Sequence, residues 1–270
     1  MKQEKIGFIG AGNMATSIIL GMIRSESFTS ENIMASNRDY NRMEALRDNF
    51  RIHTTTSNIE VAAESDVVFI CVKPNTYEEV IDEIRDYLTE NSIIVTVAAG
   101  ISLNFLKSRF EKGTKIVRTM PNAPAIVGGG MTAICHTDNL SEDELDLITE
   151  ILESTGMIDF LPEELFDAFT GVAGSSPAYG FLLIDAISDA GVRFGLKKND
   201  AIAYAAQAIM GACGMVLKIN EHPIVLKDSV CSPGGTTIEA IAMLEKNGFR
   251  NAVIEATTAC ILKSQKMNRQ

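Results

Sequence analysis

The chain has no tryptophan in its 270 residues, and aromatic side chains make up only 6% of it. Packing therefore falls to Ala, Ile, Val, Leu and Met; apolar types reach 46%, enough for a substantial core. Histidine is scarce, and His53, His136 and His222 stand far apart. The cysteines, Cys71, Cys135, Cys213, Cys231 and Cys260, are odd in number and scattered without metal-ligand spacing. No zinc motif and no G-x-S-x-G elbow is present, so no metal is expected. The cysteines read instead as small core filler in a reducing cytoplasm. Positive charge is also short: 24 Lys and Arg face 35 Asp and Glu, a net charge of -11. That balance argues against nucleic acid as a partner, although local groups can still hold a small anion. No stretch approaches ~20 apolar residues, so no membrane span is expected. The opening MKQEKIGF runs straight into a strand and leaves no room for a signal peptide.

What is present begins with KIGFIGAGNMATSIILGMI, Lys5 to Ile23. Lys5 to Ile9 has the short apolar run of a strand buried on both faces. Gly10, Gly12 and Ala15 fill a G-x-G-x-x-G/A pattern between that strand and a helix. Gly10 permits the sharp turn, Gly12 leaves room for a pyrophosphate, and Ala15 lets the helix lie close to the strand. Asn13 and Met14 open the helix, whose N-terminal N–H groups and partial positive charge face the phosphates.

The rest of the first part alternates. Strands are expected at 32–36, 52–54, 66–72, 92–98, 115–119 and 131–135, and helices at 41–49, 59–64, 77–88 and 103–110. A capping box at Ser141 and Glu144 opens one more helix, closing near Gly156. Such alternation predicts a Rossmann-like, mostly parallel, doubly wound sheet. Around 160–163 the pattern changes to helices at 164–171, 178–194, 200–217, 237–246 and 250–266. These are rich in small residues such as Gly211, Ala212 and Gly214, which permit close helix approach. The expected organisation is a nucleotide-binding domain over 1–161 and an all-helical domain over 162–270.

Three strand ends fall on the edge where an open parallel sheet binds ligands. They read Val72-Lys73-Pro74, Ala98-Ala99-Gly100 and Met120-Pro121-Asn122, candidates to line a nicotinamide. At the end of the second strand, where an NAD site usually carries an acidic residue, stands Ser36-Asn37-Arg38. Hydroxyl, amide and guanidinium suit a 2′-phosphate, so NADPH is expected before NADH, with Asp39 the alternative holder of the ribose. In the helical part, Ser232-Pro233-Gly234-Gly235-Thr236-Thr237 runs into a helix. By spacing it reads either as an anion-binding concavity, suited to a substrate carboxylate, or as a capped helix after a glycine turn.

Taken together, KIGFIGAGNMA, the VKP of 72–74, the AAGI of 98–101, the MPN of 120–122, the GSSPAY of 174–179 and SPGGTT of 232–237 resemble the pyrroline-5-carboxylate reductases. The resemblance covers nearly the whole chain and is most specific between Leu226 and Leu244. It implies NADPH-dependent reduction of a cyclic imino acid to L-proline, the last step of proline synthesis, by hydride transfer to the C=N carbon. It also implies that Gly235 and Thr236 backbone groups and the Ser232 hydroxyl hold the carboxylate. Thr237 would place its hydroxyl near the ring nitrogen and act as the catalytic residue. Asn37 and Arg38 would bind the 2′-phosphate, and Pro121 and Asn122 would border the nicotinamide. Family members dimerise through interlaced C-terminal helices and assemble further, to states such as a decamer. One departure stands at Ser176, where the family usually has glycine. A β-hydroxyacid dehydrogenase fits less well: aligned on Gly171 and Gly174, its catalytic lysine position falls on Gly180.

Overall fold

A computed structural model describes residues 4–267 of the chain; the first three residues of the MKQEKIGF opening lie outside them. Among the described residues there are eight strands: Ile6–Ile9 (β1), Ile33–Ser36 (β2), His53–Thr55 (β3), Val67–Ile70 (β4), Ile93–Thr96 (β5), Lys115–Met120 (β6), Gly130–His136 (β7) and Gly156–Phe160 (β8). They form one sheet in the order β3-β2-β1-β4-β5-β6-β7-β8. Neighbours run parallel except β6 and β7, which are antiparallel. The order reverses between β1 and β4, and that switch point opens the ligand crevice at the carboxyl ends of the strands.

Helices Asn13–Arg24 (α1), Tyr40–Phe50 (α2), Asn58–Glu64 (α3), Tyr77–Ile84 (α4), Leu103–Arg109 (α5) and Glu142–Glu153 (α6) cover the sheet. Side chains alternate across each strand, so both faces carry a core. Phe8, Val67 and Phe69 pack with Ile18 and Ile19 of α1 and Ile148 and Ile151 of α6. Ile9, Val68 and Ile70 pack with Val61 of α3, Val80 and Ile81 of α4 and Leu106 of α5. The Phe8 and Phe69 rings stack with centroids 4.9 Å apart. The Ser141–Glu144 capping box closes as the sequence predicts, each side chain meeting the other residue's backbone N–H.

The chain continues through a short helix, Phe166–Phe169 (α7), a π-helical turn at Thr170–Gly174, and Ser176–Arg193 (α8), Lys198–Ile219 (α9), Pro223–Ser229 (α10), Thr236–Lys246 (α11) and Phe249–Met267 (α12). By compactness it divides into two units. One runs to Gly174 and takes in the last residues from Ile261; the other is Ser175–Cys260. The compact units thus part later than the expected 161. Glu163 pairs with buried Arg118 of β6, and the Arg118 guanidinium lies over the Phe166 ring, 4.7 Å from its centroid. These contacts hold the segment after β8 to the sheet.

Several expectations need correction. β8 escapes the pattern because it is a largely exposed edge strand. Its Gly156 has φ +144, and a Cβ there would run into Gly130 opposite. The stretch read as one helix over 164–171 is instead a 3-10 turn, a short α-helix and the π-turn. α10 begins at Pro223, which the helix reading passed over. Cys213 is exposed rather than core filler. α9, at 22 residues, is long and apolar enough to cross a membrane by length and composition, against the expectation of no such stretch. Its Ala-rich middle raises the hydropathy.

Candidate functional site

The glycine-rich turn follows β1 directly. Gly10 has φ +93, and a Cβ there would sit 2.8 Å from the Cys71 carbonyl oxygen, so the turn accepts only glycine. Its N–H donates to Ser36 O at 3.0 Å, which ties the turn to the end of β2. Gly12 is different: its φ is an ordinary -81, and a Cβ there would meet nothing within 4 Å. Gly12 is also the N-cap of α1 and supplies no side-chain cap, so the first N–H groups of the helix face outward, beside exposed Asn13. Met14 turns back and packs on the core, and Ala15 is fully buried against the strand. The turn therefore fits a pyrophosphate.

The end of β2 divides its three expected ligands. Ser36 is fully buried and donates to Asn58 Oδ1 at 2.7 Å, while Asn58 Nδ2 donates to Glu83 Oε2 at 2.7 Å. Its hydroxyl thus serves the fold. Asn37 Oδ1 accepts from Asp39 N, and Arg38 is exposed and paired with Glu79 at 2.9 Å. Asp39 caps α2, accepting from the N–H groups of Asn41 and Arg42. The acidic side chain that would suit a ribose is engaged, while the guanidinium stands at the rim.

The other strand ends share the edge. Val72 abuts the Gly10 turn, and exposed Lys73 precedes Pro74 in a 3-10 turn. Below Ala98, Ala99 and Gly100 lies a buried hydroxyl network. Tyr77 Oη donates to Ile70 O at 2.6 Å and meets Thr96 Oγ1 at 2.8 Å; Thr119 Oγ1 donates to Thr96 O at 2.7 Å. This chain of bonds fixes the ends of β4, β5 and β6 to one another. Burial drives the Tyr77 phenol well above its usual range, so it stays a neutral donor. Gly100 takes φ +79 to turn away from the edge. Met120 is half-buried, Pro121 is buried, and the Asn122 amide is engaged with backbone on both sides.

In the helical unit, Gly234 adopts φ +67 and Gly235 caps α11 with extended backbone. A Cβ on Gly235 would collide with the Ser232 hydroxyl. Gly235 N–H donates to Ser232 O at 3.0 Å, so this group, implied to hold a carboxylate, closes the turn instead. The N–H groups of Thr236 and Thr237 remain at an uncapped helix start, with Ser232 exposed and Thr237 half-buried beside them. Ser176 lies at the first position of α8, followed by Pro177. Neighbouring Ser175 accepts from the Cys260 thiol at 3.1 Å. Gly180 has no neighbour within 4 Å of its Cβ position and offers no ionisable group where a dehydrogenase lysine would stand.

Sequence reasoning missed Asn58, Tyr77 and Thr96, and also Arg42, whose Nη1 donates to Ala11 O of the glycine turn at 3.4 Å. Each comes from a helix start or strand end that carries no motif; only three-dimensional pairing brings it to the edge. Among the described residues no cluster of His, Cys, Asp or Glu is arranged to hold a metal.

A glycine-turn dinucleotide fold followed by a helical unit defines a two-part nucleotide-dependent oxidoreductase. A family model described as NADP oxidoreductase, coenzyme F420-dependent, matches residues 5–100, and one described as pyrroline-5-carboxylate reductase dimerisation matches residues 163–267. The chain is 42% identical to pyrroline-5-carboxylate reductase of Escherichia coli over 99% of each chain. It is 38% identical to that of Arabidopsis thaliana over 98% of this chain and 96% of the other. The solved reductase of Coxiella burnetii superposes with a TM-score of 0.90 at 30% identity, covering both chains fully. Pyrroline carboxylate reductase of Plasmodium falciparum, solved with NADP bound, gives 0.90 at 30% identity over 99% of each. The chain belongs to the pyrroline-5-carboxylate reductase family. It is an NAD(P)-dependent oxidoreductase that reduces 1-pyrroline-5-carboxylate to proline, and its dimerisation region makes it a homo-oligomer.

Proposed function

We propose that this reductase binds its two anionic ligands at two helix starts built on glycine. The observation that carries this reading is that α1 and α11 begin at Gly12 and Gly235, extended glycines with neither a side-chain cap nor a side chain of their own to shield the first N–H groups. Helices α4, α7, α8 and α9 also lack a side-chain cap but start at Thr76, Leu165, Ser175 and Lys197, and α2, α3, α5 and α6 are capped by Asp39, Ser57, Ser102 and Ser141. A capped start has at least one donor engaged; an uncapped start offers its N–H groups to a ligand. NADP is the cofactor. Gly10, Gly12, Asn13 and Met14 form the turn that receives its pyrophosphate. Arg38, with Asn37 and Ser36 behind it, takes the 2′-phosphate and makes NADPH the preferred donor over NADH. Val72, Lys73, Pro74, Ala98, Ala99, Gly100, Met120, Pro121 and Asn122 border the rest.

When bound, the reduced nicotinamide supplies the hydride that goes to the C=N carbon, and the electron pair of that bond settles on nitrogen. The chain's own work is orientation. Thr236 and Thr237 N–H groups, with the Ser232 hydroxyl and the turn made by Gly234 and Gly235, hold the imino acid by its carboxylate. The Thr237 hydroxyl hydrogen-bonds the ring nitrogen and fixes the face presented to the donor. A protonated imine is already electrophilic, so a metal or a strong general acid adds little. Holding the two carbons in near-attack geometry supplies up to ~7–11 kcal/mol.

The region 162–270 serves as the substrate and dimerisation part, and the dimers assemble further into a decamer. Five free thiols suit a reducing cytoplasm, where we place the enzyme. The test is Thr237→Val, which keeps shape and removes one donor. Turnover is expected to fall about 5- to 150-fold, the worth of one polar contact of ~1–3 kcal/mol, with NADPH affinity kept. A variant with normal kcat/KM and a lower Tm would make Thr237 a helix residue only.

A further inference from the structure

Asn122 follows Pro121 at the end of β6 and is buried. The antiparallel ladder between β6 and β7 has its last register pair at Met120 and Ala133. Two steps further in the same register Asn122 faces Met131, but the Asn122 carbonyl has turned away and accepts from Ala125 N at 3.2 Å. The Asn122 side chain takes its place: its Oδ1 accepts from Met131 N at 2.9 Å. Its Nδ2 donates in the opposite direction, to Ala173 O at 2.9 Å. Ala173 belongs to the π-helical turn Thr170–Gly174, the last residues before the chain enters the helical unit at Ser175. Beside it, a Cβ at Gly174 would lie 3.1 Å from Met120 Cε. Two side chains of the strand end, Met120 and Asn122, therefore grip two successive residues of the turn.

A π-turn is wider than an α-turn and less favourable by itself, and such turns mark functional positions more often than chance. This one is held from outside by a buried amide with both arms engaged at good geometry. An amide with both ends occupied by backbone has its hydrogen-bonding groups turned away from a ligand. We infer that Asn122 is a positioning residue: it locks the turn at 170–174 to the strand end Met120–Asn122, and so holds in place the edge that borders the cofactor. This rests on the reading above that the edge receives the cofactor. The cost of losing the clamp then appears in turnover, because hydride transfer depends on alignment far more steeply than binding does.

The experiment uses the full chain with Asn122→Asp and Asn122→Ala. The aspartate is nearly isosteric, keeps the acceptor for Met131 N–H, and sets a carboxylate oxygen against Ala173 O; it decides the matter if the alanine variant does not fold. Three readouts are taken on each: hydrogen–deuterium exchange of peptides covering 170–174, the NADPH Kd, and kcat with KM. Expected are faster exchange at 170–174, a kcat lower by about 10- to 100-fold, as for one or two lost hydrogen bonds, and an NADPH Kd changed less than about 3-fold. Unchanged exchange at 170–174 overturns the clamp. A Kd that rises in step with the loss of kcat/KM also overturns it, because the Asn122 side-chain amide, and not only its backbone, would then be holding the cofactor. Faster exchange with unchanged kcat would leave a stabilising bond and no positioning role. The Thr237→Val result bears on the substrate site alone, so failure there is separable from failure here.

Discussion

The two compact units solve the problem of burying apolar surface in opposite ways. The sheet unit completes itself: both hydrophobic clusters, one on each face, are built from its strands and helices. In the unit from Ser175 to Cys260, the only buried apolar side chains among the described residues are Ala201 and Ala205. Its large apolar groups lie outside: Phe194 is 91% exposed, Leu182 71% and Phe181 64%. Gly211 and Gly214 of α9 have open space where a Cβ would stand. A monomeric surface rarely tolerates so much contiguous apolar area. Helices that bury almost nothing within their own chain are finished by another copy of it, as the dimerisation match over 163–267 requires. The same surface explains why α9 has the length and composition of a membrane span: in an oligomer, as in a bilayer, a helix is apolar on faces that its own chain leaves bare.

The largest effect is expected from breaking that completion. Phe181→Asp with Leu182→Asp places two charges on the bare face of α8. Central interface side chains contribute about 2 kcal/mol or more each, so dimer affinity should fall roughly 1,000-fold. Sedimentation should then show a 29.3 kDa species with lost imine reduction. The sheet unit should still bind NADPH. An assembled, active double variant would mean that this face is not the one the partner covers.

A smaller effect tests where the self-sufficient unit ends. A fragment stopped at 161 removes Glu163 and Phe166, leaving the Arg118 guanidinium, only 6% exposed, without its partner and its ring. Stripping one partner from a fully buried ion pair costs ~3–5 kcal/mol, and Glu163 is partly exposed, so about 2–4 kcal/mol is expected. A fragment of residues 1–174 should accordingly melt well above a fragment of 1–161. Equal melting temperatures would show that the compact boundary has no energetic meaning.

What could be read from sequence follows the same division. The sheet unit was legible because its signals are local: Gly10 and Gly12 sit in a strand–turn–helix context, apolar runs mark doubly covered strands, and Ser141 and Glu144 are three apart. β8 was not, since an exposed edge strand has neither a continuous apolar run nor strict alternation. The helices of the second unit were legible as helices, but their bare faces were not, because a helix apolar on all sides has the same periodicity whether its cover is its own chain or a partner. Of the candidate site, the residues on turns carry motifs. Bonds to distant partners carry none: Ser36 meets Asn58, and Asn122 meets Ala173. No spacing rule reports a bond to a residue tens of positions away.

The smallest effect isolates a contact wholly within the sheet unit and away from either ligand site. Glu144 accepts from the Lys115 ammonium through one oxygen and from the Ser141 N–H through the other. Partial burial raises its pKa, but the Lys115 hydrogen bond and the Ser141 backbone donor outweigh that and hold the carboxyl below its usual range. Glu144→Gln keeps the capping geometry, since glutamine serves at that position, and removes only the ion pair. A group with a depressed folded pKa adds stability that is present above its unfolded value and disappears as pH falls through the folded one. The variant should therefore be less stable than the parent by about 1 kcal/mol at pH 7, with the gap closing below about pH 4.5. Thermal melts at pH 7 and pH 4 measure it, and oligomer mass, NADPH affinity and kcat should stay at parent values. A gap that persisted unchanged at pH 4 would locate the stabilisation in packing around Glu144 rather than in its charge. A change in oligomer mass would mean that the sheet unit, too, depends on a neighbouring copy.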